Sequence, residues 1–149
     1  MRLSSKARVG TRVMLELALN YGNGPLRVRD MAKRQGLSAK YIEQLIASLK
    51  GAGLVTAVRG IHGGYTLARP PARISLLEVF ERLEGSLSQL ECNGCPGSCG
   101  RDNKCAARDI WIELRRAVGG VLESVTLEEL SARSRTQGQA ASAMAYMPF

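Results

Sequence analysis

Three features of the 149-residue sequence predict a mainly α fold with a small β-hairpin. Two short helical stripes are joined by Gly36-Leu37-Ser38. A glycine-tipped pair of β-prone runs follows them. A long segment near the C-terminus then carries an apolar stripe at helical spacing. Two short helices followed by a hairpin make a winged helix-turn-helix, to which the long helix is appended. The expected division is 1–74 for the winged unit and 75–130 for a cysteine loop and the long helix. Residues 131–149 form a Ser-, Ala-, Gln- and Arg-rich tail that is expected to be mostly disordered.

Each element has its own signals. In 6–21, Met14, Leu17, Ala18 and Tyr21 share one helical face, Ser4 or Ser5 can cap it, and Gly22-Asn23-Gly24-Pro25 breaks it. The short helix 27–35 turns Val28, Met31 and Ala32 inward and stops at Gly36. Ser38 caps the next helix, about 39–50, whose stripe is Ile42, Leu45, Ile46 and Leu49. Residues 54–59 and 65–68 read as strands around a Gly60-Ile61-His62-Gly63-Gly64 turn. Ser75-x-x-Glu78 is a capping box for a helix to about Leu83, and Thr126-x-x-Glu129 is a second one for a short last helix. Between them, 105–123 places Trp111, Leu114, Val118, Val121 and Leu122 on one side, and Gly119-Gly120 suggests close packing or a bend.

Charge divides the chain. Residues 1–74 hold 13 Lys and Arg against three acids, whereas 75–149 hold eight against ten. A basic front half points to a polyanion, and in a winged helix that polyanion is double-stranded DNA. The inward stripe turns Lys40, Tyr41, Glu43, Gln44, Ala47 and Ser48 outward on the second helix of the pair. Gln44 can bond adenine bidentately and Glu43 can accept from cytosine N4. Ser38, Lys40 and Tyr41 suit phosphates. A carboxylate beside phosphates costs affinity, so Glu43 is either a selectivity element or a surface acid paired with Lys40 or Lys50. At the wing, Arg59 precedes a tip of backbone amides, Gly60 to Gly63, that can enter a minor groove. His62 is the single histidine. Isolated in a turn, it reads first as solvent-exposed, second as a DNA contact and third as a metal ligand.

All four cysteines, Cys92, Cys95, Cys99 and Cys105, fall in one C-x2-C-x3-C-x5-C window. Four thiols in a Gly-, Asn- and Pro-rich loop can converge on one metal or iron–sulfur cluster. Zinc sites usually separate two knuckles by a dozen or more residues, which argues modestly against zinc. A thiol–disulfide switch at Cys92-x-x-Cys95 is the third reading, with Arg101, Lys104 or Arg108 lowering a thiol pKa. No apolar leader or membrane-length run is present, so a cytoplasmic protein is expected, where lasting disulfides are rare. One histidine, no nucleophile–base pair and no phosphate loop before a helix argue against an enzyme.

Taken in order, MRLSSKARVGTRVMLELALN, LSAKYIEQLIASLKGAGLV, VRGIHGGYTLARP, the cysteine loop ending in CAARDIW, and VTLEEL cover about residues 1–130. This text resembles the Rrf-two-type winged-helix regulators, and the N-terminal text and Glu43-Gln44 are most similar to the IscR branch of iron–sulfur regulators. The resemblance implies a homodimer held by the long helix on a roughly palindromic operator. It implies cluster ligation, 2Fe-2S or 4Fe-4S, by Cys92, Cys99 and Cys105, although Cys92-x6-Cys99 is one residue long. Arg108 stands where the IscR branch has a ligating histidine, and Arg8 lies near the acidic ligand of another branch; neither can ligate, and Cys95 is the replacement candidate. Ile61-His62 stand where relatives tend to have Pro-Gly. A regulator controlled by a protein partner, as in the CymR branch, with 131–149 as docking segment, is the alternative.

Overall fold

The computed structural model describes residues 4–90 and 105–145. Its elements are α1 (Ser5–Leu19), α2 (Val28–Gln35), α3 (Ala39–Gly51), β1 (Val55–Val58), β2 (Gly64–Leu67), α4 (Leu76–Glu84), α5 (Ala106–Ser124) and α6 (Leu127–Ala145). The predicted winged helix-turn-helix and appended long helix are both present. Short 3-10 turns sit at Pro71–Arg73 and Leu87–Leu90.

Local chemistry sets the helix ends. The Ser4 hydroxyl accepts from the amides of Lys6 and Ala7 at 3.1 and 3.4 Å and so starts α1. Gly36 ends α2 at φ 65°, the left-handed conformation that a β-carbon penalises. The Ser38 hydroxyl accepts from the Tyr41 amide at 3.2 Å and opens α3. The Ser75–Glu78 capping box is complete. At Thr126 only half of the second box forms: the hydroxyl accepts from the Glu129 amide at 3.2 Å, but the Glu129 carboxylate turns forward to Arg133 at 2.5 Å.

The core is where the inward stripes meet. Val13, Met14 and Leu17 of α1 and Met31 of α2 pack with Ile42, Ile46 and Leu49 of α3. Leu54, Val55 and Leu67 come from the wing, and Ile74, Val79 and Leu127 close the cluster. Burying each large aliphatic side chain contributes about 1.5–3 kcal/mol, which is why the stripe rather than helix propensity decides the fold. Tyr21 departs from the expected inner face. The helix ends at Leu19, and the turn beyond it leaves Tyr21 exposed.

The hairpin is antiparallel, with Val55 opposite Leu67 and Val58 opposite Gly64. Leu26 adds a third, one-residue rung through two bonds with Tyr65, at 2.9 and 2.8 Å. A second bridge ties the start of α4 to the α5–α6 junction: the Leu76 amide donates to the Val125 carbonyl and the Leu127 amide to the Ile74 carbonyl, both at 2.9 Å.

The structure differs from expectation in the tail. Residues 131–145 are helical, continuing α6 to Ala145 rather than forming an irregular tail. Leu127 is buried, Leu130 packs on the core, and the buried Ser131 hydroxyl donates to the Leu127 carbonyl at 2.7 Å. A helix docked by its first turn no longer bears the cost of nucleation, and the alanines downstream propagate it. Residues 146–149 lie outside the described residues. α5 is the opposite case, because no residue in it is buried although its apolar stripe is as predicted.

Candidate nucleic-acid interface

The α3 stripe of Ile42, Leu45, Ile46 and Leu49 is buried, so geometry turns the other face to solvent. Lys40, Glu43 and Gln44 are exposed there and Tyr41 is half-buried. Ser38 is exposed and serves as the N-cap. Its oxygen accepts from Tyr41, which leaves the O–H free to donate. Among the described residues, Glu43 forms no ion pair with Lys40 or Lys50.

The wing presents Arg59, Gly60, Ile61 and His62 as exposed residues, with Gly63 half-covered. The Gly63 amide donates to the Gly60 carbonyl at 2.9 Å and closes the turn. Arg27, which sequence reasoning missed, holds the tip: its Nη2 donates to the Ile61 carbonyl at 2.7 Å. A signal was available, since an arginine occupies the N-cap of α2 where a short polar residue is usual, and its side chain makes no cap bond.

The last turn of α4 was missed as well. Arg82 Nε donates to the Ser48 carbonyl near the end of α3 at 2.8 Å. Leu83 fills the space over Gly10 of α1, where an added β-carbon would lie 2.2 Å from its Cδ1. Glu84 accepts from the Ser4 hydroxyl and, at 3.3 Å, from the Ala7 amide. Three successive residues therefore hold α1 and α3 at the point where the chain leaves for the cysteine segment. Leu83 follows the helical period of Leu76, Val79 and Phe80, whereas the partners of Arg82 and Glu84 lie in other helices and leave no local pattern in the sequence.

Cys105 is the N-cap residue of α5, half-buried, with a free thiol and no side-chain cap bond. Cys92, Cys95 and Cys99 lie outside the described residues, and among the described residues no three His, Cys, Asp or Glu converge as a metal site. A free thiol opening a helix and a chain of three further thiols just before it suit a soft metal or cluster by donor chemistry. The exposed Ile110, Trp111, Leu114 and Val121 of α5 are unlike an ordinary surface helix. Part of that stripe meets Ala7, Thr11 and Phe80 in an open apolar groove of about 620 Å³, rimmed by Arg8 and Arg12. Among the described residues no helix is long and apolar enough to cross a membrane.

Comparison with known proteins agrees with this architecture. The Rrf2 family, described as "Iron-dependent Transcriptional regulator", matches residues 3–133. The chain is 39% identical over 147 residues to the HTH-type transcriptional regulator CymR of Bacillus subtilis, covering 99% of this chain and all of the relative. The solved structure of that global cysteine regulator aligns with a TM-score of 0.77 over 89% of this chain and 98% of its own. The transcriptional regulator IscR of Klebsiella pneumoniae is 39% identical over 130 residues, 87% of this chain and 79% of the relative. The solved T. potens IscR aligns with a TM-score of 0.72 at 32% identity, over 100% and 93% of the two chains. Identity thus does not separate the two branches, whereas fold and coverage place the chain within one group. This chain belongs to the Rrf2 family of transcriptional regulators.

Proposed function

We propose that this chain is a homodimeric, DNA-binding regulator whose operator affinity is set by an iron–sulfur cluster on Cys92, Cys95, Cys99 and Cys105. The observation that carries the DNA reading is the exposed strip of Lys40, Glu43 and Gln44 directly opposite the buried stripe of α3. In a helix-turn-helix that face meets base edges in the major groove. Ser38, Lys40 and Tyr41 hold phosphates, Gln44 and Glu43 read bases, and Arg59 with the tip 60–63 reaches the minor groove. Glu43, without an ion-pair partner, serves selectivity by rejecting sites that offer no donor.

Bound, the cluster supplies a redox- and ligation-sensitive state. The residues do the rest. Arg82, Leu83 and Glu84 hold α3 and α1 on one side of the cysteine segment, and Cys105 opens α5 on the other. Ligation at those cysteines then bears on how the two α3 helices of a dimer are spaced on a palindrome, a strict requirement for a dimer. Coupling of ~1–3 kcal/mol is enough for a 5- to 150-fold change in affinity. A second copy covers Ile110, Trp111, Leu114 and Val121 of α5. The signal sensed is the state of the cluster: redox, oxygen, nitric oxide or iron–sulfur supply.

Anaerobic purification with visible absorption and iron and sulfide analysis tests the cofactor. A brown protein with stoichiometric iron and sulfide is expected, and a colourless protein with bound zinc overturns it. Replacing Cys92, Cys99 or Cys105 by Ala tests the control: operator affinity identical with and without the reconstituted cluster removes the cysteine segment as the switch.

The 39% identity to CymR over 99% of the chain favours a second reading, a thiol-controlled or partner-controlled regulator that takes no cluster. Purified protein that shifts operator DNA only after thiol oxidation, or only with an added protein, would select it.

A further inference from the structure

The wing tip is built to be narrow. Along Arg59-Gly60-Ile61-His62-Gly63-Gly64, three of six positions have no side chain. The space is genuinely missing: a β-carbon at Gly63 would lie 2.3 Å from the Val58 carbonyl oxygen, and one at Gly64 would lie 2.4 Å from that of Leu26. Gly60 stands at φ 118°, which a side chain would strain. The tip is also fixed, by the Arg27 bond to the Ile61 carbonyl and by the Gly63–Gly60 turn bond. On this narrow mount Ile61 is 89% exposed, the largest exposure of any large apolar residue among those described. Lone exposed apolar residues are ordinary. A branched aliphatic side chain held clear of the protein by an arginine clamp, beside Arg59, at the part of the molecule that faces DNA, is a different arrangement.

We propose that Ile61 is an apolar wedge that each wing inserts at a minor-groove pyrimidine–purine step beside the half-site. The inference rests on the DNA reading above and adds a mode of selection to it. Isoleucine is among the side chains that partly unstack a base step from the minor-groove side and kink the duplex. Such a wedge selects by deformability: TA and CA/TG steps open at low cost and stiff A-tract steps do not. Arg27 acts as a positioning residue, since the bond it makes holds the backbone and leaves the side chain projecting. His62, the other side chain on the tip, is placed to bond the groove wall.

The test uses the full chain, purified anaerobically, and a duplex that the wild-type protein selects from a randomised library. Affinity, salt dependence and end-to-end distance by fluorescence transfer are measured for wild type, Ile61→Ala and Ile61→Leu. The selected duplexes are expected to carry a pyrimidine–purine step under the wing. Replacing that step by AA should weaken wild-type binding about ten-fold, within the usual cost of one altered base pair. Ile61→Ala should lose about as much on the selected duplex, become indifferent to the step and bend it less, with an unchanged salt slope because no phosphate contact is lost. Ile61→Leu should restore both step preference and bend. Ile61→Ala that binds, bends and discriminates like wild type overturns the wedge while leaving DNA reading intact. A wild-type protein that selects no duplex at all overturns both.

Discussion

Arg82 Nε donates to the Ser48 carbonyl oxygen at 2.8 Å, joining the last turn of α4 to the last turns of α3 across 34 residues of sequence. The carbonyl already accepts from the Ala52 amide at 3.2 Å, so Arg82 takes its second lone pair, and a cation in the last turn also suits the helix dipole. Arg82 is exposed, so Arg82→Ala should cost only about 0.5–1 kcal/mol in urea unfolding. Operator affinity should fall more than that stability loss explains, with no change in salt slope, because the residue touches α3 and not phosphate. Affinity that does not change would mean that α3 is held well enough by its core stripe alone.

Gly10 and Leu83 form a notch and its occupant, with 2.2 Å available to a β-carbon at Gly10. Gly10→Ala meets only the end of the Leu83 side chain and gains about 1 kcal/mol of helix propensity, so overpacking should leave a net loss of about 1 kcal/mol or less. Leu83→Ala should remove the conflict, so the double variant should be more stable than the two losses added together. Thermal unfolding of the four proteins completes the cycle, and simple additivity would show that Leu83 repacks freely.

Lys40 and Gln44 should separate in binding assays. Lys40→Ala is expected to weaken all duplexes alike and to lower the salt slope by about one. Gln44→Ala is expected to cost about 1–3 kcal/mol on the selected duplex and to relax preference at one base pair only. A Gln44→Ala protein with unaltered base preference would take Gln44 out of base reading.

Trp111 is 43% exposed on a helix that buries none of its residues. Trp111→Glu places a charge on a surface that a second copy should cover, where an unpaired buried charge is costly. Light scattering should report a dimer for wild type and a monomer for the variant at micromolar concentration, with operator affinity falling sharply. A wild-type monomer would remove α5 from dimerisation.

The winged half was largely legible in the amino-acid order. Period-3.6 stripes at Ile42, Leu45, Ile46 and Leu49, the caps at Ser4, Ser38 and Ser75, and the glycine-tipped hairpin are short-range signals, and each is present, with Ser4 rather than Ser5 as the cap and β2 starting at Gly64 rather than Tyr65. The outward positions of Lys40, Glu43 and Gln44 follow from that stripe by rotation alone. Composition describes 131–149 as an isolated segment and so predicts an irregular tail, whereas Leu127 and Ser131 anchor α6 to the rest of the chain.

By itself, then, the sequence determined the winged helix-turn-helix, the basic front half and the clustering of four thiols within fourteen residues, since these depend on spacing within a few residues. Only the tertiary structure decided that Arg27 fixes the wing tip, that Arg82, Leu83 and Glu84 hold α3 and α1, and that no residue of α5 is fully buried although one side of it packs on α4. Those relationships join residues about 34 to 80 positions apart, where no local period exists and packing alone sets who meets whom.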